Sequence, residues 1–233
     1  MTEISKPLSN SSLFKPDAIL FDWDGTLIDS LPALHSYYNH VLSAYNLPLL
    51  TLDEAKKRIR KSARDVFPEI FGDKAEEALD LYFAHARKTH LDHVREIDGA
   101  DTFLRRLQTY VRPLAVVSNK RNEFLQREVT LMGWNGLVHP VVGAGVAARD
   151  KPAPDALMLA MNRMNVNPDT HHVWYVGDTE TDMQAAYAAG CQPIFIEHGL
   201  GTRADCVGVG VEPYFVADFA EILRLVENLR VNK

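Results

Sequence analysis

The sequence predicts an α/β fold, with a doubly wound parallel sheet as its core and an inserted all-helical segment. Two observations support this prediction. Short unbroken apolar runs alternate with helical patterns along most of the chain, and one long stretch contains only helical patterns. Short apolar runs are typical of strands that are covered on both faces. Their alternation with helices indicates βαβ units and therefore a parallel sheet.

Each apolar run stops at a cluster of polar residues. The runs are Ala18–Phe21, Leu114–Val117, Val173–Val176 and Pro193–Ile196, with Tyr214–Val216 as a shorter fifth. In open α/β sheets, ligands bind outside the carboxyl ends of the strands. The polar clusters are therefore expected to meet at one edge of the sheet and to form a site there.

Residues 31–95 interrupt this alternation. They contain helical patterns, such as the apolar series Leu34, Tyr38, Val41 and Leu42, but no comparable apolar run. The length of 233 residues suits one domain with an insertion, because single cores rarely exceed about 250 residues. We predict that residues 1–30 and 96–233 form the core and that residues 31–95 form a helical insertion.

Composition argues against several classes of partner. The net charge is −6, and the most basic run, residues 56–61, is short and follows two acidic residues, so we expect no nucleic-acid binding. No stretch approaches the roughly 20 apolar residues of a membrane span. The first 16 residues lack the pattern of a signal peptide, and the two cysteines have no metal-ligand or redox spacing. We expect a cytoplasmic protein with no membrane partner.

Asp22 and Asp24 form the first polar cluster. Residues i and i+2 of an extended chain point to the same side, so the two carboxylates share one site while Trp23 points away into packing. Two such charges require a cation or a raised pKa, and Mg²⁺ suits carboxylate oxygens and a substrate phosphate. A simple turn is the competing interpretation, because Asp-Gly-Thr is common turn chemistry.

The other clusters supply groups that suit a phosphate. Ser118 and Asn119 offer a hydroxyl and an amide, and Lys151 offers a fixed positive charge. Asp178 at a strand tip and Asp182 four residues later can face one cation. Helix capping is the alternative for Ser118, Asn119 and the two acids, and an ordinary surface position is the alternative for the lysine. The four clusters together favour a phosphate site.

In these motifs the chain resembles the haloacid-dehalogenase-like hydrolase superfamily, in the phosphoglycolate-phosphatase-like branch with a helical cap. The resemblance spans nearly the whole chain and is carried by Asp22–Thr26, Val117–Lys120, Lys151–Asp155 and Gly177–Asp178 with Asp182. It implies a Rossmann-like core, a cap over the site, one Mg²⁺ and an aspartyl-phosphate intermediate.

The resemblance also implies a role for each motif residue. Asp22 would be the nucleophile, and Asp24 the general acid and base. Mg²⁺ would bind Asp22, the Asp24 carbonyl and Asp178, with Asp182 as direct or outer support. Asp24 argues against dehalogenation and phosphonate cleavage, which need no such acid. Ser118 and Lys151 complete the predicted catalytic set. The residues predicted to bind the phosphate or the rest of the substrate are Thr26, Ser118, Asn119, Lys151, Arg60, Lys61 and Arg64.

The cap is expected to select the substrate, a small phosphorylated metabolite. Phosphoglycolate-phosphatase-like sequences usually have a glycine-containing loop near residues 59–64, and this chain has none there. We hypothesise that Arg60, Lys61 or Arg64 binds an anionic leaving group, since arginine suits such contacts. Solvent-facing charges on a helix are the competing interpretation.

Two alternative functions are also compatible with the sequence. One is a phosphomutase of the same superfamily, similar to β-phosphoglucomutase, and the other is a non-catalytic regulatory protein on this scaffold. Histidines such as His90 are interpreted as surface or interface residues, because no ligand constellation accompanies them. The sequence carries no indication of oligomeric state.

Overall fold

The computed structural model describes residues 13–58, 63–207, 210 and 212–231. Six strands form one sheet in the order β3-β2-β1-β4-β5-β6, and every neighbouring pair is parallel. The strands are β1 (Ala18–Phe21), β2 (Leu114–Arg121), β3 (Val141–Ala144), β4 (Val173–Gly177), β5 (Gln192–Ile196) and β6 (Tyr214–Val216). The order reverses at β1, so the sheet is doubly wound, and the predicted fold class is confirmed.

The strand predictions were correct in position but incomplete. All five predicted runs are strands, and β2 continues past Val117 to Arg121. Ser118 and Asn119 therefore belong to the end of this strand. Strand β3 was missed because its apolar part is only the pair Val141 and Val142 before Gly143.

Helices cover both faces of the sheet and form the insertion. In chain order they are α1 (Leu31–Ala44), α2 (Leu52–Arg58), α3 (Ala63–Phe71), α4 (Ala75–Thr89), α5 (Ala100–Leu107), α6 (Asn122–Leu131), α7 (Asp155–Arg163), α8 (Glu180–Ala188) and α9 (Phe219–Val231). Single 3₁₀ turns span Gly72–Lys74, His90–Asp92 and Arg203–Cys206.

Alternation along β1 divides the core into two layers. Ile19 and Phe21 pack with apolar residues of α5, α6 and α9, and Ala18 and Leu20 pack with α7 and α8. All four side chains are fully buried. A strand of this kind must be apolar at every position, which is why it is recognisable as an unbroken run.

The helices of the insertion have a core of their own, which is rich in aromatic rings. Tyr38, Phe67 and Tyr82 pack edge to face, with ring centroids 5.3 to 5.7 Å apart. Phe124 of α6 joins this cluster, so the insertion also packs against the core. Between residues 31 and 92, all regular elements in the described part of the chain are helices.

The chain leaves the core and returns to it through one short ribbon. Residues 27–29 run beside residues 95–97: Asp29 N donates to Arg95 O at 2.9 Å, and Ile97 N donates to Leu27 O at 3.0 Å. An antiparallel bridge joins Ile28 and Glu96. Both connections to the insertion therefore lie directly beyond the Asp22–Thr26 turn.

Every helix in the described residues is too short or too polar to span a membrane.

Two neighbouring residues of α7 test this description of the core. Leu157 is fully buried, whereas Met158 is 54% exposed. We expect Leu157→Ala to lower the free energy of unfolding by about 2–5 kcal/mol, because it leaves a cavity. Met158→Ala is expected to change it by no more than about 0.5 kcal/mol. Urea titrations followed by circular dichroism measure both values, and equal losses would contradict the assignment of α7 to this layer.

Candidate active site

The turn after β1 places its two aspartates and its tryptophan differently. Trp23 is fully buried and contacts Trp134 edge to face, with ring centroids 5.6 Å apart. Its carbonyl accepts hydrogen bonds from the amides of residues 26, 27 and 28, which tightens the turn. Asp22 is buried, and Asp24 is half-buried. Trp23 thus lies in the core, as alternation along an extended chain predicts.

Three carboxylates meet at the carboxyl edge of the sheet. One oxygen from each of Asp22, Asp178 and Asp182 lies within 4.8 Å of the others. Asp178 directly follows β4, and Asp182 lies in the first turn of α8, where it forms a capping box with Thr179. All three carboxylates are buried. The structure therefore brings together three of the four predicted metal-site residues through their side chains.

Lys151 lies against this acidic cluster. Its Nζ donates to Asp22 Oδ1 at 2.8 Å, to Asp182 Oδ1 at 2.6 Å and to the hydroxyl of Tyr175 at 2.8 Å. Burial lowers the pKa of Lys151, but Asp182 and Asp22 outweigh that effect and shift it upward. Burial raises the pKa of Asp22 to about 7, although Lys151 opposes this increase. The pKa of Asp178 is raised well above its ordinary value by burial and by the neighbouring acids.

The acidic cluster fits a divalent cation. With all three carboxylates ionised beside one ammonium, two negative charges would be uncompensated in a buried site, and such charges need a partner. Carboxylate oxygens are the ligands that Mg²⁺ prefers. Both oxygens of Asp182 accept hydrogen bonds, one from Lys151 and the other from Thr179.

Asp178 is held by two donors and surrounded by glycines. Thr26 Oγ1 donates to it at 3.0 Å, and Leu200 N donates at 2.7 Å. A Cβ on Gly199 would lie 2.3 Å from Asp178 Cβ, and one on Gly201 would lie 2.1 Å from its carbonyl oxygen. The loop after β5 can approach this closely only because both residues lack a side chain.

Asn119 holds the backbone of Lys151. Its Nδ2 donates to Lys151 O at 2.8 Å, and Lys151 N donates to its Oδ1 at 2.9 Å. Ser118 is buried, and its hydroxyl accepts a hydrogen bond from Lys120 N at 3.2 Å. The predicted contacts of both residues with a phosphate stay predictions, and the structure adds a role for Asn119 in orienting the lysine loop.

A second charged cluster, which we call the Glu128 cluster, lies beside Asp24 and consists of Trp23, His90, Lys120 and Glu128. Lys120 Nζ lies 2.8 Å from Asp24 Oδ1 and 2.7 Å from Glu128 Oε2. Ser30 Oγ also hydrogen-bonds Asp24. The interpretation of His90 as a surface or interface residue was wrong, because it is buried and lies 3.1 Å from Glu128.

The predicted cap residues are only partly described. Arg60 and Lys61 lie outside the described residues. Arg64 is exposed on α3, and its guanidinium lies 5.7 Å from the centroid of the Phe83 ring. Arg121, at the end of β2, approaches the same ring at 4.9 Å. Arg64 thus shares a ring with an arginine of the core, while its contact with a substrate stays a prediction.

Comparison with known proteins identifies the family. The model of the haloacid dehalogenase-like hydrolase family matches residues 19–196, so the chain belongs to that family. A phosphoglycolate phosphatase from Xanthomonas campestris pv. campestris is 34% identical over 179 residues, covering 75% of this chain and 80% of that protein. A second, from Xylella fastidiosa, is 32% identical over 195 residues, covering 82% and 84%. The predicted superfamily is confirmed, and this chain is an enzyme of that hydrolase family.

Solved structures agree with the fold. A haloacid dehalogenase-like family protein from Streptococcus pneumoniae superposes with a TM-score of 0.80 at 21% identity, covering 90% of this chain and 98% of that one. A hydrolase of the same superfamily from Geobacter sulfurreducens gives a TM-score of 0.70 at 22% identity, covering 93% and 99%.

The glycine loop around Asp178 provides a test of the site. We expect Gly199→Ala to displace Asp178, to lower the free energy of unfolding by about 1–3 kcal/mol through overpacking, and to raise the Mg²⁺ concentration needed for half-maximal activity. A Cβ on Gly136 meets nothing within 4 Å, so Gly136→Ala is the matched control. Phosphate release across a Mg²⁺ titration measures this concentration for both variants. Equal values for Gly199→Ala and Gly136→Ala would contradict the expectation.

Proposed function

We propose that the protein is a Mg²⁺-dependent phosphatase that hydrolyses a small phosphate monoester through an aspartyl phosphate on Asp22. The observation that carries this proposal is the meeting of Asp22, Asp178, Asp182 and Lys151 at the carboxyl edge of the sheet. The curated relatives named phosphoglycolate phosphatase support the same class of reaction.

In the first half-reaction, a carboxylate oxygen of Asp22 attacks phosphorus in line. The bond between phosphorus and the ester oxygen breaks, and Asp24 donates a proton to the departing oxygen. Lys151 holds one Asp22 oxygen at 2.8 Å, which fixes the direction of the carboxylate. Oxygen Oδ2 of Asp22 is therefore the one we assign to attack.

In the second half-reaction, Asp24 accepts a proton from water, whose oxygen attacks phosphorus. Inorganic phosphate leaves, and Asp22 is regenerated as a carboxylate. Ser118 and Lys151 are assigned to the phosphoryl oxygens during both transfers, where fixed donors stabilise the charge of the transition state. Thr26 orients Asp178, to which its hydroxyl donates.

The bound cation would be held by Asp22, the Asp24 carbonyl and Asp178, with Asp182 in support. It would supply positive charge beside the transferring phosphoryl group and neutralise the acidic cluster. Asn119 serves the same site indirectly, since it clamps the backbone of Lys151 from both sides.

The helical insertion is assigned as a cap over this site. Both of its connections lie next to the turn that carries Asp22 and Asp24, so residues 31–95 can control access while residues 1–30 and 96–233 hold the catalytic groups. Phosphoglycolate, which gives the relatives their name, is one candidate substrate of the required size and charge. A cytoplasmic location is part of the proposal.

The central test is the nucleophile. We expect Asp22→Asn to lower kcat at least about a thousandfold, because the covalent route depends on that carboxylate. Asp80, which is exposed on α4, is the matched control, and Asp80→Asn should retain activity. Phosphate release from p-nitrophenyl phosphate and from a panel of phosphorylated metabolites measures both. An Asp22→Asn variant as active as the wild type would refute the mechanism, and conversion of β-glucose 1-phosphate to the 6-phosphate would indicate a mutase.

The cap arginines and lysine form a separate prediction. Replacing Arg60, Lys61 and Arg64 together by Gln should lower kcat/KM about 10- to 100-fold for phosphate esters that carry a carboxylate, because a hydrogen bond to a charged group contributes about 1.5–3 kcal/mol. Esters with a neutral leaving group should be affected much less. Steady-state kinetics on matched anionic and neutral esters check this, and an unchanged kcat/KM across the panel would exclude the assignment.

A further inference from the structure

Among the residues that the structure describes, Glu128 is the only fully buried acidic residue outside the proposed metal site. It projects from α6 into the core and is 0% exposed. Three donors surround its carboxylate: Trp23 Nε1 at 2.7 Å, His90 Nδ1 at 3.1 Å and Lys120 Nζ at 2.7 Å. A buried carboxylate is costly unless it is paired and hydrogen-bonded, and these donors satisfy that requirement.

The donors connect Glu128 to the catalytic turn by two separate routes. Trp23 lies between Asp22 and Asp24 in sequence, so the bond from its indole fixes the backbone that carries both acids. Lys120 lies between Glu128 and Asp24 and contacts both carboxylates. Glu128 therefore orients the turn that carries Asp22 and Asp24, and it also orients Lys120, which contacts Asp24.

Lys120 itself has little freedom to move. Its side chain is 14% exposed, and its Nζ has the two carboxylates as partners. A lysine that served only to balance charge would need one carboxylate, whereas this lysine joins a fully buried acid to the half-buried Asp24. Fixing one oxygen of Asp24 leaves its other oxygen in a defined direction.

We propose that Lys120, held in place by Glu128, is a positioning residue that aims the Asp24 carboxyl group at the leaving oxygen of the substrate. This inference rests on the proposed function, because it needs Asp24 to act as the general acid. It places the support for Asp24 outside the metal site, on β2 and α6.

The experiment uses aryl phosphates that differ in the basicity of the leaving group. A poor leaving group such as phenoxide needs a proton from Asp24, and 2,4-dinitrophenoxide needs almost none. General acid catalysis contributes about 100- to 10,000-fold, so partial misalignment should have a measurable effect. We expect Lys120→Gln to lower kcat/KM for phenyl phosphate at least about tenfold more than for 2,4-dinitrophenyl phosphate.

Two variants provide the reference values. Asp24→Asn should show the same dependence on leaving group more strongly, and Lys88→Gln, at an exposed position on α4, should show none. One outcome would be that Lys120→Gln lowers kcat/KM equally for both esters while Asp24→Asn discriminates between them. Lys120 would then be merely structural, and this inference would fail while the proposed role of Asp24 stands. If Asp24→Asn does not discriminate either, the proposed role of Asp24 fails, and this inference fails with it.

A double variant keeps the test decisive should Lys120→Gln fold poorly. Lys120→Met with Glu128→Gln removes both charges together, so neither is left buried without its partner. Thermal melting of each variant reports folding separately from kinetics. A folded double variant with the selective loss on phenyl phosphate supports the positioning role, and one with wild-type values for both esters overturns it.

Discussion

The whole site depends on one electrostatic constraint, the crowding of the buried carboxylates of Asp22, Asp178 and Asp182, of which Lys151 contacts the first and the last. Like charges at this separation are stable in a buried place only when donors and cations surround them. The hydroxyl of Thr26, the amide of Leu200, the capping box of Thr179 and the ammonium of Lys151 all serve this requirement. These groups come from four different strand ends, so the sheet must be complete before the carboxylates can be held together.

Much of this arrangement could be predicted from the sequence, for a physical reason. Strands covered on both faces must be apolar throughout, and β1, β4 and β5 are therefore visible as runs that end abruptly in polar residues. Parallel strands bring their carboxyl ends to one edge of the sheet, so Asp22 and Asp178 are expected to meet simply because each follows such a run. Strand β3 escaped prediction because a pair of valines before a glycine differs little from many loops.

The support of the site could not be predicted, because it consists of contacts between distant residues. Nothing in the sequence near Asn119 indicates that its side chain clamps Lys151, 32 residues later. Glu128 occupies the buried face of α6 among apolar neighbours, and only the fold shows which donors meet it there. His90 was wrongly interpreted for the same reason, since its partner lies 38 residues away. Gly199 and Gly201, by contrast, could have been identified from the sequence, because they form a pair of glycines soon after a buried strand.

The ribbon formed by residues 27–29 and 95–97 has a consequence for how such a protein can change. Because the chain departs and returns through the same two hydrogen-bonded segments, the register of the sheet does not depend on what lies between them. Under the proposed cap function, mutations, insertions or replacement of the intervening helices can alter which molecules reach Asp22 while the strand ends keep their positions. Under that proposal, selectivity can change in the insertion while the groups that hold Asp178 and Lys151, all of which lie outside it, stay the same.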